Sequence, residues 1–151
     1  MPGSAAQEAW ELFWRIFTED KRRRMTIFGE IGIAPMQAQA LIGLEPGVPL
    51  PMSALAERMH CDNSNVTGIA DRLEAAGAIE RRAAEHDRRI KTLVLTPEGE
   101  RLRAEVQRRM SEPPPPIAQL SEVDAEQLRE ILARAAATLD AQREAGSRPN
   151  P

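Results

Sequence analysis

Cys61-Asp-Asn-Ser-Asn-Val-Thr-Gly-Ile-Ala-Asp-Arg-Leu-Glu-Ala-Ala-Gly77 carries two faces at helical spacing. Val66, Ile69, Ala70 and Leu73 recur at i, i+3, i+4 and i+7, the pattern of one buried stripe. Ser64, Asn65, Thr67, Gly68, Asp71 and Arg72 fall on the other side. A helix that is apolar behind, with small hydrogen-bonding groups and a strong cation in front, fits a DNA major groove. Gly68 costs a helix interior about 1 kcal/mol relative to alanine. Close approach of the backbone to DNA would account for that cost; otherwise the glycine has no functional reason.

The neighbours of this stretch complete a unit from Pro51 to Gly99. Upstream, Ser53–Met59 reads as a short helix with Leu55, Ala56 and Met59 inward. The turn His60-Cys-Asp-Asn63 follows, with Asp62 or Asn63 suited to cap the next helix. Downstream of the Gly77 stop, Ala78–Arg82 and Ile90–Leu95 read as two strands. Ala83–Arg89 between them is too polar for a core and holds Asp87-Arg-Arg89, so the pair reads as a hairpin with a charged tip. Arginines at such a tip suit a minor groove or a phosphate, against a solvated loop or a pair with Asp87. Arg81 and Arg82 suit phosphate or neighbouring carboxylates equally.

Helices flank this unit on both sides. Ala5 to about Glu30 reads as one long helix, with Trp10, Phe13, Trp14 and Phe17 along one face. Trp10, Trp14 and Phe17 are candidates for a ligand cleft, weighed against core or subunit packing. Lys21-Arg-Arg-Arg24 is either a phosphate patch or a solvated helix turn. Gly32 ends the helix and Pro35 opens another reaching about Leu44. Glu45–Pro51 reads as a stiff connection. Thr96-Pro-Glu-Gly99 opens a helix lined by Leu102, Val106 and Met110, which Pro113-Pro-Pro-Pro116 breaks as an extended segment. Ser121 caps a last helix carrying Leu128, Ile131, Leu132, Ala135 and Leu139. A unit of this size cannot cover all these apolar stripes, which points to a twofold dimer suited to a palindromic site.

Composition bounds the partners. The chain has 151 residues and a net charge of −3, yet residues 81–91 hold five basic against two acidic groups. The local surplus sets the field at a contact surface. No apolar run approaches the roughly 18 residues that span a membrane, and the N-terminus lacks the pattern of a secretory signal. One cysteine, Cys61, makes no internal disulfide, which suits a cytoplasmic protein. His60 and His86 stand apart from any Cys/His cluster, so neither a metal nor a cofactor is expected. Without a Gly-rich phosphate loop, an H-E-x-x-H pair or a nucleophile elbow, the chain is not expected to be an enzyme.

Six segments in order, Gly32–Gln37, Leu55–Met59, Ser64–Glu74, Gly77–Arg81, Asp87–Arg89 and Leu93–Gly99, resemble the MarR family of bacterial transcription regulators. The Asp-Arg-Arg tip followed by Leu-Thr-x-x-Gly is the most specific of them. The resemblance covers about residues 5–145. It implies a mainly α chain with a small β-wing, a winged helix-turn-helix between N- and C-terminal dimerisation helices. The expected parts are a dimerisation helix over 1–34, the DNA-binding unit over 35–99, dimerisation helices over 100–145 and a disordered tail over 146–151. It further implies that Ser64, Asn65, Thr67, Gly68 and Arg72 face the major groove of double-stranded DNA. Arg88 or Arg89 would enter the minor groove, with Asp87 steadying an arginine. The function implied is repression by a homodimer on a palindromic operator, relieved by a small aromatic or phenolic effector. A winged-helix protein-interaction module without specific DNA binding is the alternative.

Overall fold

The computed structural model describes residues 3–146 and divides into two units, one ending at Glu112 and one beginning at Pro113. In the first, α1 (Ala5–Glu19) and α2 (Lys21–Ile31) lead into α3 (Pro35–Gly43), β1 (Leu50–Pro51), α4 (Met52–Met59) and α5 (Asn63–Ala75). Strands β2 (Ile79–Ala83) and β3 (Lys91–Leu95) follow, then α6 (Pro97–Ser111). The second unit holds α7 (Pro115–Ala118) and α8 (Glu122–Gly146). The architecture is mainly α with a small antiparallel sheet. Among the described residues no helix is long and apolar enough to cross a membrane.

The apolar stripes meet in one core. Leu41 and Leu44 from the α3 end, Leu55 from α4, Val66 and Leu73 from α5, Ile79 and Leu93 from the sheet and Val106 from α6 are fully buried. Burying each such side chain stabilises the fold by about 1.5–3 kcal/mol. Two arginines close the C-terminal end of α3, where carbonyls lack helical partners and the dipole favours cations. Arg58 Nη1 donates to Gly43 O across 2.7 Å, and Arg103 Nε donates to Leu44 O across 2.8 Å.

Several expectations needed correction. The N-terminal helix is two helices, not one. Asp20 interrupts it with φ −72° and ψ −5°, and its carboxylate, only 9% exposed, accepts from Arg23 Nε at 2.6 Å and Arg24 Nη1 at 3.2 Å. Two cations of the Lys21–Arg24 run thereby serve this junction. The hairpin has a third strand: Leu50 pairs with Leu93 and Pro51 with Thr92, giving the order β1-β3-β2. Covered on both faces, β3 buries Thr92, Leu93, Val94 and Leu95, and the Thr92 hydroxyl donates to Arg82 O. The tetraproline is not wholly extended, because Pro115 and Pro116 occupy the first turn of α7, where a missing N–H costs nothing. Asp62 stands at the α5 N-cap without a side-chain capping bond.

Other features match. Gly32 adopts φ 78° beyond α2 and Gly77 φ 71° beyond α5. Thr96 Oγ1 accepts from Gly99 N, and Ser121 Oγ accepts from Asp124 N. Of the expected tail, Gly146 ends α8 and residues 147–151 lie outside the described residues.

Candidate nucleic-acid interface

Helix α5 turns Val66, Ile69, Ala70 and Leu73 into the core, each at most 6% exposed. The same rotation turns Ser64, Asn65, Thr67, Asp71 and Arg72 outward, with Gly68 half-buried. This outer surface has two flanks with different company. Ser64, Asn65, Gly68 and Arg72 share a concavity with Met36 of α3. Among the described residues, Asn65 and Arg72 have no intramolecular hydrogen bond or ion pair from their side chains, which leaves an amide and a guanidinium available to an outside partner.

The other flank is tied to the sheet. Arg81 on β2 donates from Nη2 to the Asp71 carboxylate at 2.6 Å and from Nη1 to Glu74 at 2.7 Å. Nη2 also reaches Thr67 O at 3.4 Å, while the Thr67 hydroxyl donates back to Asn63 O at 2.9 Å. The Asp71 hydrogen bond holds the Arg81 guanidinium above its ordinary pKa, with Glu74 adding attraction. Of the two readings of Arg81, the structure has it on carboxylates. Arg82 pairs with Glu80 at 2.7 Å on the surface.

The wing presents Arg88 and Arg89 at its tip. Ala84 N donates to Ile90 O and closes the hairpin, and Ile90 N donates to Asp87 O within its tip. The Asp87 carboxylate accepts the backbone N–H of Arg89 at 2.9 Å, so it shapes the turn and forms no ion pair with either arginine. Arg88 and Arg89 are exposed, and neither has an ion-pair partner among the described residues. The cationic tip and the α5 surface belong to the same compact unit, joined through β2 and Arg81.

Trp10, Trp14 and Phe17 lie on the outer side of α1 at 60%, 52% and 46% exposure. They stack on one another and on Phe13, with Trp10 and Phe13 centroids 5.5 Å apart. The Arg24 guanidinium sits 4.1 Å from the Phe17 ring centroid, a cation–π contact at the Asp20 junction.

Met36 escaped sequence reading, and Arg81 was read on carboxylates only as one of two alternatives. Arg81 as a clamp was signalled by Asp71 and Glu74, two acids three residues apart on one helix flank with a cation beyond the Gly77 turn. Met36 gave no such signal, because its approach to α5 exists only in the folded chain.

The chain matches the model described as MarR family over residues 37–91. It is 29% identical over 99 residues to the HTH-type transcriptional regulator YfiV of Bacillus subtilis, covering 66% of this chain and 62% of that protein. It is 42% identical over 69 residues to the HTH-type transcriptional repressor MdtR of Bacillus subtilis, covering 46% of this chain and 44% of that one. Thus the chain spans less than two thirds of the length of either curated relative. The crystal structure of YusO from Bacillus subtilis superposes with a TM-score of 0.72 at 30% identity, over 89% of this chain and 99% of YusO. Both curated relatives are named as regulators, not as enzymes. Three strands, the helix-turn-helix of α4 and α5, the arginine-tipped wing and these likenesses converge: the chain belongs to the MarR family.

Proposed function

We propose that the chain is a cytoplasmic, sequence-specific repressor of transcription that binds a palindromic operator in double-stranded DNA as a homodimer. One observation carries this reading: the outward amide and guanidinium of Asn65 and Arg72 on α5, and Arg88 and Arg89 on the wing, which have no ion-pair partner among the described residues, are presented by one compact unit. Asn65 suits the N7/N6 edge of adenine, Arg72 a guanine or a phosphate, and a wing arginine the minor groove. The name of MdtR, a repressor, supports the direction of regulation.

The dimer reading rests on the outward aromatic face of α1 and the apolar stripe of Ile131, Leu132 and Leu139 on α8, each about half exposed in the single chain. A second copy covers such stripes and places two α5 helices for two half-sites. A small aromatic or phenolic effector lowers operator affinity in this reading.

Titration of a promoter-length duplex at two salt concentrations tests the proposal. Binding at about 10⁻⁸ M or tighter at physiological salt, weakening as salt rises and exceeding random DNA, supports it. Binding no tighter than to random DNA overturns it in favour of a protein-interaction module.

A further inference from the structure

The concavity between the start of α3 and the outer flank of α5 has a chemistry that the fold does not use. It encloses about 400 Å³ and is lined by Met36, Ser64, Asn65, Gly68, Ile69 and Arg72. Its apolar lining is Ile69, 6% exposed, and Met36, 43% exposed. A Cβ built on Gly68 would meet nothing within 4 Å. No packing therefore demands a glycine there, although it weakens the helix by about 1 kcal/mol. What the glycine does is leave the notch open in front of the backbone.

We propose that Met36 and Gly68 form a receptor for the 5-methyl group of a thymine, and so determine specificity at one A·T pair in each half-site. The inference rests on the DNA-binding reading above. The choice of occupant follows from what else lines the notch. The thymine methyl is the one apolar feature that base pairs present in the major groove, and only A·T pairs carry it. The Asn65 amide beside the notch matches the donor and acceptor of the paired adenine. The Arg72 guanidinium, without an ion-pair partner among the described residues, supplies positive charge where the phosphate backbone passes. Met36 is an adaptable apolar contact, unbranched and polarisable, and an alanine at position 68 would push its methyl into the space that the thymine methyl takes.

The experiment begins with selection of the preferred duplex from a random pool by the full chain. Each thymidine of the selected half-site is then replaced by deoxyuridine, which removes only the methyl group. Affinities are measured for the native chain, Met36→Ala and Met36→Leu. The expected result is one position at which uracil weakens native binding about fourfold, the worth of one buried methyl. Met36→Ala should bind the thymine duplex about fourfold more weakly and no longer distinguish thymine from uracil, whereas Met36→Leu should keep the distinction. A half-site without thymine, indifference of the native chain to uracil at every position, or discrimination undiminished in Met36→Ala overturns the notch while leaving DNA binding intact. Failure to enrich any duplex overturns both.

Discussion

Arg81 Nη2 lies 2.6 Å from the Asp71 carboxylate, so one guanidinium joins the second strand of the sheet to the outer flank of α5. With Glu74 at 2.7 Å on Nη1, the contact is a fork between two acids three residues apart. Asp71 is itself 60% exposed on the surface that would meet phosphates. Arg81 offsets its negative charge there as well as fixing the helix. Arg81→Met should destabilise the fold by about 1–2 kcal/mol, a modest cost because both acids are partly solvated. Urea unfolding reads that change, and operator affinity should fall more than stability does. A loss of stability with no loss of affinity would confine Arg81 to the scaffold.

Asp20 makes a second, deeper node. Its carboxyl is held below the ordinary value of 3.8, chiefly by the Arg23 hydrogen bond against the opposing effect of burial. A depressed carboxylate contributes stability that is complete above its unfolded value and is lost as pH falls through the folded one. Arg23 also reaches Glu112 O at 3.2 Å, tying the α1–α2 junction to the end of α6. Asp20→Asn should therefore be less stable than the native chain at neutral pH by about 1–3 kcal/mol. Paired urea melts should show the gap narrowing below about pH 4; a gap that stays constant into acid contradicts the ion-pair account.

Two helix glycines should respond to alanine in opposite directions. At Gly99 a Cβ would stand 1.8 Å from Ala78 O, where the first turn of α6 crosses the start of β2. Backbone must move to admit it, and Gly99→Ala should cost about 3 kcal/mol or more. Gly68 faces open space, so Gly68→Ala should raise stability by up to about 1 kcal/mol. Thermal melts of both variants decide the matter, and a destabilised Gly68→Ala would show that the helix front is occupied.

The wing arginines make no side-chain hydrogen bond or ion pair among the described residues. Arg88→Ala together with Arg89→Ala should leave the melting temperature unchanged and reduce the slope of log K against log salt by about two per subunit, about four for the dimer. Equal slopes for native and doubly substituted chains would remove the wing from the interface.

Asn65→Ala should behave differently from the wing pair. Its side chain carries no internal hydrogen bond among the described residues, so stability should hold. Operator affinity should fall by about 1–3 kcal/mol, mainly at one base position, in a comparison across singly altered duplexes. A uniform loss at all positions would reassign Asn65 to the phosphate backbone.

The helix-turn-helix, the wing and their order are legible along the chain. Those features are local: a 3.6-residue stripe through Val66, Ile69, Ala70 and Leu73, left-handed stops at Gly32 and Gly77, and a Thr96-Pro start write themselves into neighbouring residues. The break at Asp20 was not legible, because no glycine or proline marks it and the carboxylate that gathers Arg23 and Arg24 is buried only in the folded chain. The pairing of Leu50 with Leu93 was hidden for a similar reason, since a two-residue strand has no period of its own and exists only against β3. Which cations find a carboxylate is settled by packing. Arg23, Arg24 and Arg81 are consumed by Asp20, Asp71 and Glu74, while Arg72, Arg88 and Arg89 are left without ion-pair partners among the described residues. Charge can be counted along a chain, but pairing depends on a few ångströms between residues far apart in it, and those distances arise only when the core closes.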